Sequence, residues 1–188
     1  MQYSDWLPLY LEKVSNACEE GRLAVDYVHA HKTKIGFKRV RKSVGEFWTP
    51  LGNVHFNSIH YNYESALENP RAWTLLIHEV RHLQQGVVTA LSVHGELDAW
   101  QYEFRAYKRL INTPLHPILE EILSLPLSWD RTHLHCARGL MQAYAGKAIA
   151  SIYCCLYIPC TKKSSFCLYE DKLDTIYYRQ PYKNIILF

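Results

Sequence analysis

Two histidines four residues apart, with a glutamate directly after the first, stand in the stretch LLIHEVRHLQQG: His78, Glu79 and His82. On a helix, residues i and i+4 share a face, so both imidazoles can reach one ion at about 2.0–2.1 Å. Glu79 is turned by about 100° from His78, so it reaches a water on that ion instead of the ion itself. A zinc ion would lower the pKa of such a water to about 7, and the carboxylate would take its proton. A pattern this short also arises by chance on an ordinary helix, so its surroundings must decide.

Asn69 is a good helix N-cap, Pro70 a favoured first helical residue and Gly86 a natural stop, which predicts a helix over 70–85. At 100° per residue, Ala72, Trp73, Leu75, Leu76, Ile77, Val80 and Leu83 form one broad apolar face, with Thr74, Arg81 and Gln85 opposite. His78 and His82 fall on the border and flank Leu75. That predicts a site at the edge of the core, open to a cleft.

A catalytic zinc site needs a third protein ligand. The candidates lie in HGELDAWQYEFRAYKRLI: His94, Glu96, Asp98 and Glu103. Read as a helix, Glu96 and Glu103 fall within the apolar stripe of Leu97, Ala99, Trp100, Phe104, Tyr107, Leu110 and Ile111, whereas Asp98 and Arg105 fall opposite. A carboxylate on a buried face is costly unless it is paired or bound to metal. Glu96 starts the helix and borders the expected cleft, which makes it the preferred ligand. Glu103 is then an alternative ligand, or holds a ligand histidine by a hydrogen bond, or pairs with an arginine in the core. Asp98 and His94 stay open as further alternatives.

The segment 53–107 resembles the core of the zincin metallopeptidases, in particular the gluzincin type, on H-E-x-x-H at 78–82 and a glutamate on the next helix. The resemblance implies an α+β fold with a small zincin-like domain. A short antiparallel sheet would pack on the active-site helix and on the glutamate-bearing helix, with further C-terminal helices. It also implies His78, His82 and Glu96 as ligands of Zn2+, Glu79 as general base, and NVHFNSIHYN (53–62) as the strand beside a peptide or protein substrate. The chain departs from the type in two places. Many gluzincins carry Asp four residues after the third ligand, to orient a histidine; here that residue is Trp100. The metzincin extension is absent, since Gln85 and Val88 occupy its Gly and His positions.

The rest of the chain bounds these readings. Its 188 residues suit one domain, 1–188, with the core over about 34–112 and a tail, 150–188, of different composition. A helix is expected from a cap at Ser4 or Asp5 to about Glu20, with Gly21 ending it, and a weaker one over 23–31. Trp6, Leu9, Tyr10, Val14 and Ala17 or Cys18 would share a face of the first. Residues 34–43 and 53–62 read as two antiparallel strands joined by the Pro50–Asn53 turn. Further helices are expected from a start at Ser92 or at His94-Gly95 to near Asn112, over 117–124 and over 131–149.

The N-terminus has no basic n-region, and the apolar run 148–160 is shorter than the roughly 20 residues of a membrane-spanning helix. No transmembrane segment, reduced thiols and a cytoplasmic location are therefore expected. Cys154, Cys155, Cys160 and Cys167 match no standard metal spacing. Arg131, His133, His135 and Cys136 could supply an oxyanion donor or simply form a polar helix face. A net charge of +3 is too small to argue for nucleic acid by itself, and nucleic acid is not expected as a partner. The stretch KTKIGFKRVRK (32–42) could touch nucleic acid, and a strand edge guarded by basic residues explains it equally.

The expected function is a zinc-dependent hydrolase, a metallopeptidase. The alternatives are a catalytically weak zincin-fold regulatory or binding protein, and a DNA-associated protease.

Overall fold

The computed structural model describes residues 2–42, 45–49 and 51–145. They form a mixed α+β structure, mostly helical, with one three-stranded sheet. The elements run α1 (Tyr3–Ala17), α2 (Glu19–His31), β1 (Ile35–Lys38), β2 (Glu46–Trp48), β3 (Val54–Asn57), α3 (Tyr63–Glu68), α4 (Pro70–Gln85), α5 (Val87–Ala90), α6 (Val93–Ile111), α7 (Pro117–Ser124) and α8 (Arg131–Ala145). No helix of the described residues is long and apolar enough to cross a membrane. The C-terminal cysteines and the tail strands expected from sequence lie outside the described residues.

The helix that bears the histidines forms where its caps say. The Asn69 side chain accepts a hydrogen bond from the Arg71 N–H at 2.9 Å, Pro70 opens the first turn, and Gly86 leaves it at φ 76°, a backbone conformation that favours glycine. Ser92 caps α6 by accepting from the Gly95 N–H, and Asn112 ends it in the left-handed region. Pro117 opens α7. Local chemistry writes all of these bounds.

The first two helices differ from expectation. α1 starts at Tyr3 and stops at Ala17, because Cys18 is fully extended (φ −165°, ψ 169°). Gly21 does not end a helix; it lies inside α2, where a Cβ would stand 2.1 Å from the Val14 carbonyl oxygen. Glycine is there so that the two helices can approach. Leu11 takes the inward place that the helical wheel assigned to Leu9, which is exposed.

The sheet differs more. Its order is β1-β3-β2, with β1 parallel to β3 and β2 antiparallel to it. The turn at 49–53 joins β2 to β3, closed by the Thr49 N–H on the Asn53 carbonyl at 2.8 Å. The expected two-stranded antiparallel ribbon is therefore a mixed sheet, and its middle strand is β3. Within the 53–62 stretch only Val54–Asn57 is strand, and it cannot accept an added strand, since β1 and β2 already occupy both of its edges; 58–62 turn away from the sheet and are not strand.

Two apolar clusters sit on either side of the α4–α6 pair. The first joins α1, α2, α3, α4 and the sheet around Trp6, Tyr10, Phe56 and Leu76. Trp6 stacks on Tyr10 at 4.9 Å, and the Tyr10 hydroxyl donates to the Ala72 carbonyl at 2.9 Å, which ties α1 to α4. The second joins α6, α7 and α8 around Leu97, Phe104, Ile122 and Met141. α4 packs most extensively on α6, then on α2 and β2. It is therefore covered nearly all round: Thr74, expected opposite the apolar face, is fully buried.

Candidate metal centre

The paired faces of α4 and α6 bring His78, His82 and Glu96 together. One ligand atom from each lies within 4.8 Å of the other two, and all three residues are buried. Nε2 of His78 is 3.0 Å from Nε2 of His82; the latter is 3.1 Å from Oε2 of Glu96, and Nε2 of His78 is 3.8 Å from Oε1 of Glu96. Tetrahedral donors about 2.0–2.1 Å from one ion would be separated by roughly 3.3 Å. The two edges that meet at His82 Nε2 lie close to that figure and the set of ligand atoms stays within 4.8 Å, so these three residues could hold a metal ion.

Partners on the far side of each ring say which nitrogen carries a proton. Gln85 Nε2 donates to the Gly95 carbonyl at 2.9 Å and to Asp98 Oδ2 at 2.7 Å, so its Oε1 is the atom left to face His82 Nδ1, at 3.1 Å. An amide oxygen only accepts, hence Nδ1 of His82 carries the proton and Nε2 presents a lone pair. Glu103 does the same for His78: its Oε2 lies 2.8 Å from Nδ1, while its Oε1 pairs with Arg71 Nη1 at 2.5 Å. Two lone pairs then face each other at 3.0 Å beside a carboxylate. That arrangement requires positive charge at its centre, a proton or a cation.

The electrostatics agree. Exposures of 2% for His82 and Glu103, 4% for Glu96, 6% for Glu79 and 7% for His78 place three carboxylates out of water beside the two histidines, with Arg71 paired to Glu103. Burial works against charge on the His78 ring, yet Glu103 first, then Glu96 and Glu79, hold its pKa up to about 9. Without a cation the cluster thus takes up protons to balance itself. Burial pushes the Glu79 carboxyl above its ordinary range, opposed by the two histidines. Among the described residues that carboxylate takes no hydrogen bond and no ion pair, which leaves it able to receive a proton.

The remaining sequence candidates are occupied elsewhere. Asp98 forms a two-pronged pair with Arg81, at 2.8 and 3.2 Å, and holds Gln85. His94 stacks on Trp129 at 4.1 Å. Glu103 contacts both His78 and the core arginine Arg71. Arg131, His133, His135 and Cys136 are exposed on α8, and none of them is in the metal-capable group.

Two residues act here that the sequence reading did not assign. Gln85, read as a helix-end residue, orients His82. Its signal was present: it lies three residues after His82, on the same helical face. Trp100, read as a departure from the family pattern, donates from Nε1 to Glu96 Oε1 at 2.7 Å. The residue four after Glu96 therefore holds Glu96, and the residue set against the His78 ring is Glu103. Gly95 completes the frame, since a Cβ there would stand 2.0 Å from the Thr89 carbonyl oxygen and 2.9 Å from Gln85 Oε1. The residues expected to border an open cleft are themselves buried: His78, His82 and Glu96 lie between α4 and α6.

Family models, curated proteins and solved structures were all compared with the chain, and none of them matches it.

Proposed function

We propose that the chain is a zinc-dependent hydrolase, a metallopeptidase of zincin type. One observation carries the reading: two imidazole Nε2 atoms with their protons fixed on the far side face each other at 3.0 Å beside Glu96. The donor set of two imidazoles and one carboxylate suits zinc, and three protein ligands leave a fourth position for water or substrate. Zinc held there supplies Lewis acidity toward a carbonyl and lowers the pKa of water.

The chain's own residues supply the rest. His78, His82 and Glu96 hold the ion, while Glu103, Gln85 and Trp100 fix their orientation. Glu79 follows His78 on the helix, beside the donors but not among them. A carboxylate whose pKa burial raises can take a proton and hold it for a leaving group. The strand beside the site is β2, not β3: the Trp48 ring lies 6.1 Å from that of His82, and β2 pairs only with β3 among the described residues. An extended peptide can add to its free edge, which puts its backbone next to the site.

A second reading has an observation of its own. His82 and Glu79 are nearly closed to solvent, which suits a protein that keeps the metal and turns over little. The Glu79→Gln variant separates the two. It should retain zinc and lose cleavage of a panel of denatured proteins. Equal inertness of wild type and variant on every substrate favours the metal-holding binder.

A further inference from the structure

The six basic residues at 32–42 are Lys32, Lys34, Lys38, Arg39, Arg41 and Lys42, and no acidic residue stands between Asp26 and Glu46. All six are exposed, and none takes part in an ion pair among the described residues. Several other surface cations sit beside acids: Lys13 with Glu68, Arg22 with Glu19 and Asp26, Lys108 with Glu120. β1 is an edge strand, and guarding that edge accounts for Lys34 and Lys38. It does not account for Arg39, Arg41 and Lys42, which lie beyond the strand.

The backbone of that segment is held from inside. Asn57 is fully buried, and its Oδ1 accepts from the N–H groups of Val40 at 3.3 Å and Ile59 at 3.1 Å. Its Nδ2 donates to the Arg41 carbonyl at 3.0 Å, and His60 Nε2 lies 2.7 Å from the Lys42 carbonyl. A buried polar side chain spent on fixing an exposed basic loop sets its shape before any partner arrives, which lowers the entropic cost of binding. Next to it, on the sheet face opposite the core, the rings of Phe47 and His55 lie 5.3 Å apart and both are half-buried. Lys38 stands close enough to help burial hold the His55 pKa down.

We propose that this loop and sheet face form a docking surface for single-stranded nucleic acid, with the basic side chains on phosphates and the Phe47–His55 pair as a stacking platform. Unpaired cations on a fixed backbone suit a polyphosphate chain, and a ring pair on a sheet suits unstacked bases more than a duplex. The surface is separate from the metal-binding residues, so the inference stands or falls independently of the proposed hydrolysis.

The test is fluorescence anisotropy of the full chain with a labelled oligothymidylate, longer than the roughly 4–16 nucleotides a small single-strand site covers. Six phosphate contacts would give a log–log salt slope of up to about −4, and the double variant Arg39→Ser, Arg41→Ser should flatten it by about 1.4. Phe47→Leu keeps an apolar side chain in the sheet and should weaken single-strand binding about tenfold, with less effect on duplex. Three results would overturn the proposal: no salt-dependent binding at low ionic strength, tighter binding of duplex than of single strand, or capture by phosphatidylserine vesicles without capture by the oligonucleotide. An unchanged slope in the double variant would overturn it as well.

Discussion

His78 and His82 on α4 and His133 and His135 on α8 are both helical histidine pairs with further candidate ligands close by in sequence. The α4 pair is spaced i, i+4 and buried between two helices, with each Nδ1 facing an acceptor and both Nε2 atoms facing one point. The α8 pair is spaced i, i+2, so its rings leave the helix about 160° apart short of a common face, and both are exposed. His133 Nδ1 meets the Ser128 hydroxyl at 2.9 Å, a contact near the helix start that Asp130 caps. Residue type is the same in both places. Spacing, exclusion of water and acceptors behind the rings separate a pair that could hold an ion from a solvated one.

The comparison breaks most visibly at the ligands. His78→Ala or His82→Ala should lower zinc affinity by well over the roughly 10–100-fold expected from an orienting partner. The His133→Ala, His135→Ala double variant should leave it unchanged, as read by competition with a chromogenic chelator. Next comes Glu79→Gln: zinc content stays, and hydrolysis of any substrate found for the wild type falls by roughly 10²–10⁴-fold in kcat/KM. A smaller effect belongs to the residues behind the ligands. Gln85→Leu and Trp100→Phe should each weaken zinc by roughly 10–100-fold without abolishing binding. The smallest is a proton count. With the His78 pKa held up to about 9, the ring is charged at neutral pH, so an arriving cation must displace its proton. Calorimetry in buffers of different ionisation enthalpy should report release of about one proton at pH 7, and affinity should fall as pH falls.

The same contrast shows what the sequence made legible. Asn69, Pro70, Gly86, Ser92 and Pro117 are local signals, and the helices they bound begin or end at those residues. The two glutamates stood out because a carboxylate within an apolar stripe demands a partner, and the structure supplies partners for both. The sheet was not legible. Parallel pairing of β1 with β3 and the insertion of β3 as the middle strand depend on contacts far apart in the chain, and the alternation of 53–57 is compatible with either neighbour. The depth of the site was also missed. A helical wheel puts His78 and His82 on a border, but whether that border faces solvent depends on α6 and β2, which the wheel does not contain. The roles of Gln85 and Trp100 required the helix to be placed against its neighbour first.

Metal content of the purified protein, prepared near neutral pH without chelator, tests the central claim most directly. About one zinc per chain is expected, lost in His82→Ala and retained in the His133→Ala, His135→Ala variant. No stoichiometric metal, or metal that survives the loss of His82, would contradict it.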